Sequence, residues 1–229
     1  MLEVIKKAQE KGQQALAENE GKKVLEAIGI SITKEEVVSS EEEAVALAEQ
    51  IGYPVVLKGC SSEFLHKTEL GLVKLNLDNS SKVKEAYQSL KKKELALDGV
   101  LVQEMVKGER EFVLGLTRDP HFGPCVMFGL GGIFTEALKD IVFRLAPLTK
   151  KEALEMIQEI KSQKLLKSFR GEEPVKVKKL AEALVSLGNL GVENEIIKEI
   201  DINPIKIKKG EPIAVDALVV LEKIKDPKD

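Results

Sequence analysis

His66 and Lys67 open a polar turn eight residues after Lys58, and Lys58 itself closes the apolar run Pro54-Val55-Val56-Leu57. An imidazole nitrogen can attack a phosphoryl group, and a neighbouring cation offsets the charge that gathers there. At the end of a strand, the Lys58 ammonium is expected at the rim of a sheet, where ligands often bind. A histidine that merely ends a turn in solvent fits the same residues. The local pattern leaves both readings open.

Three further stretches carry chemical groups. Residues 126–140 run from a strand into Gly129, Gly131 and Gly132, then into a helix expected from near Ile133. Backbone amides at a helix N-terminus attract anions. Phe134 stands where a third glycine would complete G-x-G-x-x-G, and no Walker lysine follows, so neither a dinucleotide fold nor a P-loop is indicated. A turn without a ligand is the other reading. In the next stretch, Glu199, Asp201 and Asn203 alternate with Ile200 and Ile202, so the three acceptors share one strand face. Pro204 is expected to stop that ladder, and a hairpin at Lys209-Gly210 to return Asp216 across from the acidic row. Carboxylates with an amide oxygen suit Mg²⁺, although two solvent-facing acidic strands would alternate likewise. In the last stretch, a strand ends at Glu104-Met105-Val106, Gly108 turns the chain and Glu111 begins another strand. Such an edge offers backbone groups and a carboxylate to a purine and its ribose, or is an ordinary hairpin. Cys60, His66, His121 and Cys125 lack the short spacing of a structural zinc site.

Strands and helices must position these groups. Helical spacing marks Ala44, Leu47, Ala48 and Ile51; Val83, Ala86, Tyr87 and Leu90; and Val177, Leu180, Ala181 and Leu184. Ser39 and Ser40 before three glutamates read as a helix start. Strands are expected over 53–58, 71–77, 100–106, 111–117, 125–128, 196–202 and 212–219. The mixture predicts an α+β (mixed α/β) class. The Leu97-Asp98-Gly99 turn is the expected joint between a smaller unit, 21–98, and a larger one, 99–229, on which residues 1–20 pack.

Composition narrows the function classes. The chain has 229 residues, 43% hydrophobic and 32% charged, with 35 basic and 38 acidic residues and a net charge of −3. That balance gives no electrostatic reason to expect nucleic acid. No apolar run approaches the roughly 20 residues that span a bilayer. The charged first residues lack the apolar centre of a signal peptide. With only two cysteines, a cytoplasmic setting is expected.

Taken together and in order, HKTELGLVK (66–74), DPHFGP (119–124), FGLGGIFTE (128–136), FRLAPL (143–148), FRG (169–171) and EIDINPI with AVDA (199–205, 214–217) resemble one family. It is that of the β subunit of ADP-forming acetyl-CoA (acyl-CoA) synthetase, related to the succinyl-CoA synthetase β subunit. The resemblance runs from Lys22 to Leu221. It implies a single ATP-grasp domain of two α+β subdomains that grip ATP or ADP. It implies that His66 carries a phosphoryl group to ADP, with Lys58, Lys67 and Thr68 at the phosphates. Glu104 and the Val106 backbone would take adenine, Glu111 the ribose, and Asn203 and Asp216 Mg²⁺. Asp201 would steady an incoming phosphohistidine, with Gly129, Gly131 and Gly132 bordering the site. An α subunit with the CoA-binding and acyl sites is implied, in an α2β2 assembly.

The chain departs from the family pattern in lacking the proline usual near Ser62, in having Leu72 where a second glycine follows Gly71, and in Gly21 within Glu20-Gly21-Lys22, where the family usually has alanine. A stand-alone ATP-grasp carboxylate ligase and a nucleotide-sensing module of an acyltransferase system are the competing functions. Neither needs a histidine nucleophile.

Overall fold

The computed structural model describes residues 2–60, 70–93, 95, 97–132 and 139–222. The chain divides into two units. The smaller takes in Ala17–Asn19 and Thr33–Val106, the larger Met1–Leu16, Glu20–Ile32 and Lys107–Asp229. Among the described residues no helix is long and apolar enough to cross a membrane.

The smaller unit is a four-stranded antiparallel sheet of β1 (Glu35–Val38), β4 (Gly99–Glu104), β2 (Val55–Cys60) and β3 (Val73–Leu77), in that spatial order. Two helices, α3 (Glu41–Ile51) and α4 (Ser80–Lys91), belong to the same unit. Each starts on a side-chain cap: Ser40 accepts from the Glu43 amide, and Asn79 from the Lys82 amide. These caps satisfy donors that the first helical turn leaves open. Ala44, Ala48, Val83, Tyr87 and Leu90 then bury one helical face each against Val55, Leu57, Val100 and Val102. Leu72, the departure from the family's glycine, is fully buried in this cluster. Withdrawing a large aliphatic side chain from water contributes about 1.5–3 kcal/mol. β4 pairs with both β1 and β2. The strand after the Leu97-Asp98-Gly99 turn therefore lies inside the smaller sheet, and the division falls after Val106, not at Gly99.

The larger unit is built on the antiparallel sheet β10 (Leu218–Leu221), β8 (Ile197–Lys208), β5 (Glu111–Asp119), β6 (Gly123–Leu130) and β7 (Ile141–Leu145), with β9 (Glu211–Ala214) also on β8. Phe112, Leu114 and Leu116 alternate along β5 and bury one face with Val126 and Phe128 of β6. The Phe112 and Phe128 rings stack with centroids 5.7 Å apart. Helices α5 (Lys150–Glu159) and α6 (Val177–Glu193) supply Met156, Ile157, Leu180, Leu184 and Leu187 to the same core. Val24 and Leu25 of α2 (Glu18–Ala27) and Ile5 of α1 (Leu2–Glu10) join it. A capping box between Thr149 and Glu152 starts α5.

Pro204 does not end its strand. β8 continues to Lys208, because the ladder absorbs the proline in a bulge: Phe112 pairs with Ile205 and Leu114 with Ile202, leaving Asn203 and Pro204 opposite Val113 alone. A proline lacks the amide that a regular ladder needs, and a bulge is where that loss is tolerated. The single strand expected over 212–219 is two strands, and Asp216 sits in the break between them.

Candidate nucleotide and metal site

The bulge and the break set the geometry of the acidic row. β8 pairs Ile205 with Ala214 of β9 and Asp201 with Leu218 of β10. One register runs through both ladders, so Asn203 and Asp216 stand opposite each other where the ladder opens. Asp201 lies beside them, half-buried. Burial, then the charges of Glu199 and Asp216, push its carboxyl up to about 6. A carboxyl that resists ionisation in this way is short of positive charge. Among the described residues no group of three or more His, Cys, Asp or Glu is arranged to hold a metal ion. Asn203 and Asp216 nonetheless fit a cation that completes its shell with phosphate and water oxygens, as Mg²⁺ does.

The glycine turn reaches the same place. The Gly132 amide donates to Asn203 Oδ1 at 3.1 Å, which orients the amide oxygen and leaves it a second lone pair. The Gly131 amide donates to the Glu111 carbonyl at 2.9 Å. Gly129 lies within β6, paired with Val113 and Ile141. Two of these three glycines therefore use their amides inside the protein and do not present them to an anion. Their small size is what matters. A Cβ at Gly131 would lie 2.5 Å from the Phe112 carbonyl carbon, and one at Gly132, where φ is 70°, would strike the Glu111 carboxylate. Glu111, the first residue of β5, faces Lys206 across the ladder, with Oε1 2.9 Å from Nζ.

In the smaller unit Lys58 is not at a strand end. β2 runs on to Cys60, and Lys58 is buried with its Nζ 2.6 Å from Glu18 Oε1. Glu104 ends β4, and its carboxylate accepts from the Lys34 amide at 3.1 Å while its own amide donates to the Lys34 carbonyl at 2.9 Å. Val106 is 4% exposed, and among the described residues its N–H and C=O meet no hydrogen-bond partner. Buried backbone groups are otherwise almost always paired, so this edge has the donor and acceptor that a purine would use.

His66, Lys67 and Thr68, like the helix expected from Ile133, lie outside the described residues. Sequence reasoning missed Glu18 and Lys206, which nothing local distinguishes from other charged residues. It left Asp140 without a role. The structure gives it one: its buried carboxylate accepts from the amides of Lys161 and Ser162, at 2.7 and 2.8 Å. Arg144 pairs with Glu159 of α5, away from the acidic row.

Comparison with known proteins agrees with this architecture. The sequence profile of the ATP-grasp domain matches residues 7–221. The beta subunit of acetate–CoA ligase (ADP-forming) I from Pyrococcus furiosus is 45% identical over 225 residues, covering 96% of this chain and 97% of that one. The ADP-forming 4-hydroxybutyrate–CoA ligase of Nitrosopumilus maritimus is 45% identical over 202 residues, but this chain spans only 29% of its length. Among solved structures, acetyl-coenzyme A synthetase 1 of Ca. Korarchaeum cryptofilum bound to coenzyme A and Ca-AMPCP is 42% identical over 96% of this chain and 99% of that one, with a TM-score of 0.91. The same synthetase with coenzyme A and Mg-AMPPCP, its phosphohistidine segment pointing towards the nucleotide-binding site, superposes with a TM-score of 0.85. The chain thus belongs to the ATP-grasp family and, within it, to the beta subunits of the ADP-forming acetate–CoA ligases.

Proposed function

We propose that this chain is the nucleotide-binding subunit of an ADP-forming acyl-CoA synthetase, exchanging a phosphoryl group between His66 and ADP/ATP. The net reaction is acyl-CoA, ADP and phosphate to free acid, CoA and ATP. The observation that carries the reading is the acidic row: Asn203 opposite Asp216, with Asp201 pushed up to about 6 beside them. Asn203 and Asp216 would hold Mg²⁺, which when bound neutralises phosphate oxygens. In the transfer, the P–N bond to the His66 imidazole breaks as a P–O bond forms to the terminal phosphate of ADP, and the reverse step reloads the histidine. Lys58, with Lys67 and Thr68, which follow the histidine in sequence, offsets phosphate charge. Glu104 and the open Val106 backbone take the adenine, and Glu111 accepts from the ribose hydroxyls. The turn Gly129–Gly132 borders the acidic row, and Asp201 steadies an incoming phosphohistidine. The acyl and CoA chemistry belongs to an α subunit, in an α2β2 assembly. Cys60 and Cys125, neither of them in a disulfide, suit a cytoplasmic setting.

The test is phosphorylation of the purified chain by γ-³²P-ATP with Mg²⁺, wild type against His66→Asn. The expected result is an acid-labile, base-stable label that ADP discharges and the variant lacks. A wild type that binds ATP but stays unlabelled, even with an α subunit and acetyl phosphate, would instead favour a carboxylate ligase or a nucleotide sensor.

A further inference from the structure

Lys206 stands directly across the β5–β8 ladder from Glu111. Its Nζ lies 2.9 Å from Glu111 Oε1 and donates to the Gly108 carbonyl at 3.2 Å. Both side chains are mostly withdrawn from solvent, 22% and 28% exposed. The second carboxylate oxygen, Oε2, borders Gly132, at a place where any side chain would collide with it. One oxygen is thus held by a cation and the other lies against Gly132, where a Cβ would take its place. A glutamate has three rotors, and ordering such a chain at the moment of binding costs affinity. An ammonium that fixes it beforehand removes much of that cost.

We infer that Lys206 is a positioning residue, which presents the Glu111 carboxylate to the ribose hydroxyls of the bound nucleotide. Its bond to Gly108 also ties the chain entering β5 to β8, so carboxylate and strand are set together. A carboxylate has about four lone-pair directions, so sharing one with Lys206 leaves enough for a ribose diol. The inference rests on the reading of Glu111 as the ribose acceptor, and the test separates the two.

Calorimetric titration of the full chain with ADP and with 2′,3′-dideoxy-ADP gives a ratio of dissociation constants that reports ribose recognition alone. The proteins are wild type, Glu111→Gln, Lys206→Met, Lys206→Gln and Lys206→Arg, each checked by its thermal transition. Wild type is expected to favour ADP by roughly tenfold or more, the worth of two good hydrogen bonds. Lys206→Met and Lys206→Gln weaken ADP binding by roughly fivefold and leave the dideoxy analogue unchanged, whereas Lys206→Arg keeps the wild-type ratio. A ratio that collapses in Glu111→Gln but stays wild type in Lys206→Met and Lys206→Gln overturns the role of Lys206. A ratio that survives Glu111→Gln overturns the ribose reading itself.

Discussion

Replacing Asp140 by Asn tests whether one buried carboxylate holds the segment after α5. Asp140 is 5% exposed, and its two oxygens each take a backbone amide, Lys161 at 2.7 Å and Ser162 at 2.8 Å. The Leu130 amide, just before the glycine turn, donates to the Asp140 carbonyl at 3.0 Å. Asparagine can offer an oxygen to one of the two amides and must turn its own N–H₂ towards the other. One charge-assisted bond becomes a neutral one, and one buried donor loses its acceptor. Together these cost about 3 kcal/mol, or roughly 6–12 °C in Tm for a chain of this size. The pH dependence follows from the same contacts. Burial alone would push the Asp140 carboxyl up, but the hydrogen bonds from Ser162 and Lys161, with the nearby Lys161 charge, hold it below the usual range. A depressed folded value means that the stabilisation is fully present above the unfolded pKa of about 4, and is lost as pH falls through the folded value. The variant has no carboxyl to titrate, so the gap between the proteins should narrow from pH 7 to pH 3. Urea unfolding followed by circular dichroism measures it, since Tyr53 and Tyr87 both lie in the smaller unit and there is no Trp. A variant within about 0.5 kcal/mol of wild type at pH 7, or a gap as wide at pH 3, refutes the reasoning.

Asp201 should behave in the opposite sense. Its folded value is raised to about 6, so the folded chain is destabilised as pH climbs from about 4 to about 6. Asp201→Asn should remove that slope and gain up to about 3 kcal/mol at pH 8, read as urea midpoints at pH 4 and pH 8; parallel curves for the two proteins count against it. Gly131→Ala drives a methyl into the Phe112 backbone and should cost about 3 kcal/mol or more, seen as a lower Tm or loss of soluble protein; an unchanged Tm is the failing result. Glu18→Gln strips the buried Lys58 ammonium of a carboxylate 2.6 Å away and should cost about 3–5 kcal/mol, with part regained when Lys58→Met is added. A double variant less stable than the single one means the pair is not coupled as described.

Much of the secondary structure was legible in local pattern. The faces of α3, α4 and α6 follow helical spacing, because a helix buries one stripe whatever it packs against. Ser40 before three glutamates marked a cap, since capping is satisfied within a few residues. The acidic alternation of Glu199, Asp201 and Asn203 was visible too, because a strand repeats every two residues. Local pattern misled where the decisive partner is distant. Pro204 looks like a strand end until Val113 is seen opposite the bulge. Lys58 looks like a rim cation until Glu18, forty positions earlier, is found against it.

Local spacing was enough for the type of many elements, the order of the chemical groups and, through the joint motifs, the family. Those depend on neighbours in the chain and on residue identity. It took the fold to show that Asn203 stands opposite Asp216, that a Cβ at Gly131 or Gly132 would collide with its surroundings, and that Lys206 faces Glu111. Strand register, bulges and burial are set by pairing between distant segments, and a residue's charge state follows from what that pairing puts beside it.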